Sequence, residues 1–197
     1  DTIKNIVFLG CGSSFYAANI GYYYIKKIDK LNDINVFCFD GCDFQLYDIP
    51  HGKCLFVFIS QSGETMDLIK HLNLIKKNHI TMGIINVIDS TIAKEVDCGI
   101  YMNIGKEVAV ASTKSFNSSV LLLKLFSLWL FQEKTNISSN TVLIKNIQQI
   151  NQLIFQIKKI NHEINIHLEN LDLYKFNKEH IFILGKSSLE YIAKECA

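Results

Sequence analysis

Ser60-Gln61-Ser62-Gly63-Glu64-Thr65 stands between two stretches of different periodicity, and its reading decides the fold. Ahead of it, residues 55–59 form a continuous apolar run, the pattern of a buried strand. Behind it, Met66, Leu68, Ile69, Leu72 and Ile75 recur at helical spacing. The hexapeptide is therefore a strand-to-helix turn. Free N–H groups at the helix start, the positive end of the helix dipole and three hydroxyls together form a cradle for an anion. No lysine or arginine lies inside it, which suits a compact phosphate held by neutral donors. The same residues could serve only as a Ser/Thr-rich helix cap. This segment by itself leaves both readings open.

Working outward, short apolar runs alternate with helical ones. Strands are expected at 3–9, 35–39, 55–60, 81–87 and 99–102, and helices at 13–27, 64–78 and 91–95. The strands are near-continuously apolar, as in a parallel sheet covered by helices on both faces. Right-handed crossovers then give a doubly wound, three-layer α/β/α domain. In such a domain ligands bind beyond the carboxyl ends of the strands, where strand order reverses.

The character changes after Thr113. Residues 113–132 read as an apolar helix, 133–140 as a polar linker and 141–171 as a long helix with Ile144, Ile147, Ile150, Ile154 and Ile157 at helical spacing. A strand is expected at 180–184, followed by Gly185-Lys186-Ser187-Ser188 and a helix to residue 197. The order strand, glycine, paired serines, helix repeats the opening run from Ile6 to Ser14, which suggests an internal duplication.

Bulk properties exclude several classes. The 197 residues are 49% hydrophobic, enough for a substantial core. Twenty basic and 19 acidic residues leave a formal charge of +1, which does not point to a nucleic acid or a membrane surface as partner. No apolar run reaches the length of about 20 residues that a transmembrane helix needs. The chain opens on Asp1 rather than Met and without a signal-peptide pattern, which reads as an excised piece of a longer cytoplasmic protein. Six cysteines match no zinc or redox spacing, so reduced and mostly buried thiols are expected.

Two further loops should meet the hexapeptide at the same sheet edge. Gly10-Cys11-Gly12-Ser13-Ser14 follows the first strand, with glycines for a tight turn and hydroxyls opening a helix. Phe15 stands where a dinucleotide fingerprint has its third glycine, and no Gly-Lys-Ser/Thr is present, so nucleotide binding is disfavoured. Val108-Ala109-Val110-Ala111-Ser112-Thr113-Lys114 is an apolar loop entering a helix. Lys114 opposes the helix dipole there, which asks for a partner carboxylate, Glu107 being nearest in sequence, or for an anionic ligand. The six histidines form no metal-binding pair, Ser60 and Ser62 lack a nucleophile elbow, and Cys11 reads as a packed thiol.

Together, Cys11-Gly12-Ser13-Ser14, Ser60 to Thr65 and Val110-Ala111-Ser112-Thr113-Lys114 resemble the sugar isomerase (SIS) domain over roughly residues 3–132. More narrowly, they resemble the isomerase half of the glutamine–fructose-6-phosphate transaminase family. The resemblance implies a five-stranded parallel sheet and a homodimer. It implies that Ser60, Gln61, Ser62 and Thr65 bind the phosphate of fructose 6-phosphate or glucosamine 6-phosphate. Ser13 and Ser14 would contribute from the first loop, and Val110, Ala111 and Ser112 would line the sugar. No cofactor or metal is implied.

On this reading residues 1–132 are a first SIS subdomain, 133–177 a linker and connecting helix, and 178–197 the start of a second. The family's Schiff-base lysine, ring-opening histidine and proton-shuttling glutamate would lie beyond Ala197, so no catalytic residue is assigned. Cys42-Asp43-Phe44-Gln45 also departs from the Ser-Glu-Phe-Arg common in relatives. A phosphosugar sensor, or another SIS enzyme acting on amino-sugar phosphates, is the alternative.

Overall fold

The computed structural model describes residues 3–108, 112–135, 141–169 and 182–197. Five parallel strands, β1 (Asn5–Gly10), β2 (Asn35–Asp40), β3 (Cys54–Ser60), β4 (Ile80–Ile85) and β5 (Cys98–Tyr101), form one sheet in the order β2-β1-β3-β4-β5. Strand order reverses between β1 and β3, which are paired in register from Asn5–Cys54 to Leu9–Phe58. The loops leaving β1 and β3 are therefore neighbours at the switch point.

Alternation along the strands divides the core in two. Ile6 and Phe8 of β1, with Val57 and Ile59 of β3, face α1 (Ser13–Lys26) and α4 (Thr113–Thr135), where Ala17, Ile20, Phe116 and Leu123 meet them. Val7, Leu9, Phe56 and Phe58 face the opposite way, against Leu68, Leu72 and Ile75 of α2 (Met66–Ile75) and Ile92 of α3 (Thr91–Glu95). The inner strands β1, β3 and β4 are buried on both faces because helices cover both, while the edge strands β2 and β5 are partly or mostly exposed. The expected three-layer α/β/α fold is the one observed.

The helix expected at 64–78 is shorter at both ends. Thr65 is extended (φ −65°, ψ 112°) and Glu64 lies in the preceding turn, its carboxylate accepting the Thr91 N–H at 2.7 Å. Helix α4 runs on to Thr135, three residues into the expected linker.

The described residues of 1–135 and 184–197 form one compact unit, and those of 136–183 form another. Helix α5 (Thr141–Glu169) belongs to the second. Helix α6 (Ser188–Cys196) belongs to the first and packs on α1, with Tyr191 against the rings of Tyr16 and Tyr23. The strand expected at 180–184 is not formed over its described part. Residues 182–184 carry no strand, and Phe182 and Leu184 are 87% and 90% exposed. A parallel strand needs a neighbouring strand to complete its hydrogen bonds, and no described strand pairs there. Residues 180 and 181 lie outside the described residues.

The turns before α1 and α6 share one backbone design. Gly12 has φ 55° and ψ −125°, and Ser187 has φ 59° and ψ −131°. The Ser14 N–H donates to the Cys11 carbonyl at 3.2 Å, and the Leu189 N–H donates to the Lys186 carbonyl at the same distance. Gly10 and Gly185 occupy matching places, where a Cβ would meet the backbone of Ser14 at 2.8 Å or of Leu189 at 2.2 Å.

Candidate functional site

The hexapeptide is a closed, pre-organised turn. Ser60 ends β3 at 3% exposure, and its Oγ accepts the Gly63 N–H at 3.0 Å while lying 2.9 Å from Thr65 Oγ1. The Gln61 carbonyl accepts the N–H groups of Asn86 and Val87, each at 3.3 Å, and the Gly63 carbonyl accepts the Ile92 N–H at 3.0 Å. Gly63 has φ +66°, and a Cβ there would come within 2.0 Å of Ser90 Oγ. Only glycine satisfies both the torsion and the space.

The donors left over point to an anion. The first intrahelical bond of α2 runs from the Ile69 N–H to the Thr65 carbonyl at 3.0 Å, and no side chain caps the helix. The N–H groups of the first turn are thus without helical partners. Ser62 Oγ accepts the Glu64 N–H at 3.1 Å, which leaves its own proton to donate. Thr65 and Ser60 share one contact, so one of their two protons is also spare.

The first loop lies alongside. Helix α1 likewise has no side-chain cap. The Ser13 hydroxyl, however, donates to Glu195 Oε1 of α6 at 2.8 Å, so it is engaged away from the switch point. Ser14 follows in the first turn, half-buried. Gln61, Asn86, Val87, Asn103, Gly105 and Lys106 border an open cleft of about 450 Å³.

The third loop differs. Val110 and Ala111 lie outside the described residues, and Ser112 Oγ contacts Ser115 Oγ at the head of α4. Glu107 occupies that helix start, accepting the N–H groups of Lys114 at 2.8 Å and Ser115 at 3.4 Å and the Ser115 hydroxyl. Desolvation pushes the Glu107 carboxyl up, but these hydrogen bonds and the Lys114 charge outweigh it and leave it below the ordinary carboxylate range. The Lys114 ammonium itself goes to the carbonyls of Lys106 at 2.9 Å and Ile104 at 3.4 Å. Glu107, expected as a partner for the Lys114 charge, instead binds the backbone N–H groups of this helix start. Helix α4 therefore has a carboxylate hydrogen-bonded to its first-turn N–H groups; α1 has no acidic residue in its first turn, and α2 has Asp67 there but no side-chain cap.

Only Cys54 is buried among the six thiols; Cys11 and Cys38 are half-buried, and Cys42, Cys98 and Cys196 are exposed. The expectation of mostly buried thiols fails because Cys11 and Cys42 lie in the turns leaving β1 and β2, and Cys38 and Cys98 lie on the edge strands β2 and β5. Burial, then the neighbouring Cys42 and Asp40, push the Cys11 thiol up to about 12. That is a protonated thiol and not an activated nucleophile. Linear spacing also gave no sign that Cys11, Asp40 and Cys42 come together, with their ligand atoms within 4.8 Å of one another.

Comparison with known proteins agrees with this architecture. The family described as SIS domain matches residues 2–128. A probable glutamine–fructose-6-phosphate aminotransferase (isomerizing) of Acanthamoeba polyphaga mimivirus is 42% identical over 98% of this chain, which spans 31% of that protein. The corresponding aminotransferase of Fusobacterium nucleatum is 34% identical over 98% of the chain, again 31% of its length. The C-terminal domain of glucosamine-fructose-6-phosphate aminotransferase from Francisella tularensis superposes with a TM-score of 0.82 at 30% identity, covering 98% of this chain and 54% of that one. The chain thus spans less than a third of the curated relatives and is homologous to their isomerase domain. With the family match over residues 2–128 and a five-stranded parallel sheet, it belongs to the SIS domain family.

Proposed function

We propose that the turn from Ser60 to Thr65 holds the phosphate of a phosphosugar, fructose 6-phosphate or glucosamine 6-phosphate. The observation that carries this is the start of α2, which has no side-chain cap although three hydroxyls surround it. Ser62 donates its free hydroxyl proton, the first-turn N–H groups donate along the helix dipole, and Ser60 with Thr65 holds the turn in shape. Gln61 and Ser14 border the phosphate, and Ser13 contributes once it is released from Glu195. Val110, Ala111 and Ser112 line the sugar.

The parent activity follows from the aminotransferase relatives: glutamine and fructose 6-phosphate are converted to glucosamine 6-phosphate and glutamate. Residues 1–132 act as the first SIS subdomain, 133–177 connect, and 178–197 open a second; the matched turns at Gly12 and Ser187 support this division. The residues assigned here bind and orient the sugar and move no proton, so the 197-residue chain alone forms no product. A cytoplasmic location, in keeping with six free thiols, and the homodimer that the family resemblance implies complete the proposal.

Titration calorimetry of the chain with fructose 6-phosphate tests the binding. Saturable heat that fructose does not give is expected, and equal heat from both sugars would overturn the phosphate assignment. Incubation with fructose 6-phosphate and ammonia should yield no glucosamine 6-phosphate.

A further inference from the structure

Pairing of β1 with β2 ends at Gly10 opposite Asp40, and the Gly41 N–H continues the ladder to the Gly10 carbonyl at 3.0 Å. Cys11 and Cys42 therefore leave the sheet side by side, with their sulfurs 3.9 Å apart. The Asp40 carboxylate completes a group whose ligand atoms all lie within 4.8 Å of one another. Asp67, in the first turn of α2, brings Oδ2 to 3.6 Å from Cys42 Sγ. We propose that Cys11, Asp40 and Cys42, with Asp67 as a further carboxylate beside Cys42, form a binding site for a zinc ion next to the phosphosugar loops.

The spacing fits a tetrahedral metal site. Zinc bound at about 2.3 Å from sulfur and about 2.0–2.2 Å from oxygen sets its tetrahedral ligand atoms about 3.5–3.8 Å apart. The sulfur–sulfur distance of 3.9 Å and the sulfur–oxygen distance of 3.6 Å are close to those edges. Two reduced thiols at this distance are in contact and could instead be oxidised to a disulfide, an outcome that the cobalt titration separates from metal binding. Two sulfurs among four ligands select zinc over magnesium or calcium.

The support around the site is also in place. Asp40 Oδ1 accepts the Cys42 N–H at 3.0 Å, which fixes the carboxylate. His71, 7% exposed, has Nε2 3.1 Å from the Gly41 carbonyl and holds the middle of the turn from beneath. A Cβ on Gly41 would lie 2.6 Å from Leu68 Cδ2 and 2.9 Å from Cys11 Sγ, so the turn is seated directly on the first thiol. Outer contacts of this kind orient ligands and are worth about 10–100-fold in metal affinity. Metal uptake releases the two thiol protons; the two thiolates balance the charge of the ion, and carboxylate oxygens complete its coordination.

Cobalt(II), added to the reduced 197-residue chain without sugar, tests the site. One equivalent should give thiolate-to-cobalt charge transfer and the intense visible bands of tetrahedral cobalt, both abolished by zinc. Cys42→Ser should lose more than the roughly 100-fold that outer contacts are worth, since it removes a ligand. Asp67→Asn should weaken binding by about 10-fold or more, on the same scale. Cys98→Ser, an exposed thiol elsewhere, should bind as the parent does. Circular dichroism checks that each variant is folded, and the surface change Asp67→Asn keeps the test open should Cys42→Ser unfold. Weak octahedral absorption overturns the proposal. Undiminished binding by folded Cys42→Ser and Asp67→Asn overturns it too, as does loss of two thiols to a Cys11–Cys42 disulfide in a reduced-then-aired chain that took up no metal.

Discussion

Ser60 Oγ lies 2.9 Å from Thr65 Oγ1 and accepts the Gly63 N–H at 3.0 Å, so one buried hydroxyl closes the whole turn between β3 and α2. Ser60 is thereby a framing residue. Ser60→Ala leaves the Gly63 N–H unpaired in a buried place, which should cost about 1–3 kcal/mol of stability. Chemical denaturation should show the midpoint falling with an unchanged slope. An unaltered midpoint would mean that the hydroxyl frames nothing.

Gly63 meets two constraints together, a φ of +66° and a gap too small for a methyl beside Ser90. Gly63→Ala should therefore destabilise the chain by more than the roughly 1–3 kcal/mol of a strained torsion alone, because Ser90 must also move. Pairing it with Ser90→Gly should recover the Ser90 part of the clash and leave the torsional part and the 2.9 Å approach to Ile85 Cγ2, as thermal unfolding of the double variant would read.

Ser187 stands where the first turn has Gly12, at nearly the same backbone angles. A serine at φ 59° is strained, and Ser187→Gly should relieve it. The gain should be about 1 kcal/mol, since glycine also gives the unfolded chain more freedom. A higher unfolding temperature is expected, and a lower one would show that the serine hydroxyl outweighs the strain.

Two carboxylates set the acid limb. Glu64 is held below its ordinary value of 4.5 chiefly by the Thr91 N–H, and Glu107 lies below 4.5 because its hydrogen bonds outweigh desolvation. Folded values below unfolded ones mean that each contribution is complete above the unfolded value and disappears as pH falls through the folded one. Unfolding temperature should thus decline below about pH 4.5, the ordinary carboxyl range. The decline should be shallower in a Glu64→Gln, Glu107→Gln variant.

The fold was readable because the inner strands are apolar on both faces and the helices show their own period: 55–59, then Met66 to Ile75, left little choice. Loop composition likewise marked the hexapeptide and the Gly12 turn. What escaped the sequence depends on contacts between distant segments. The Ser13–Glu195 hydrogen bond joins α1 to α6, and the Glu64–Thr91 bond joins two helix starts. The Cys11–Asp40–Cys42 group exists only because β1 and β2 are neighbours in the sheet. The strand expected at 180–184 shows the converse: its apolar pattern is present, but over 182–184 no pairing partner is.

The central claim is that Ser62 donates to a sugar phosphate. Calorimetric titration of the parent chain and of Ser62→Ala with fructose 6-phosphate tests it most directly. The variant should lose about 1–3 kcal/mol of binding energy, the worth of a hydrogen bond to a charged group, with its unfolding temperature unchanged. Equal affinity in the two proteins would contradict the account.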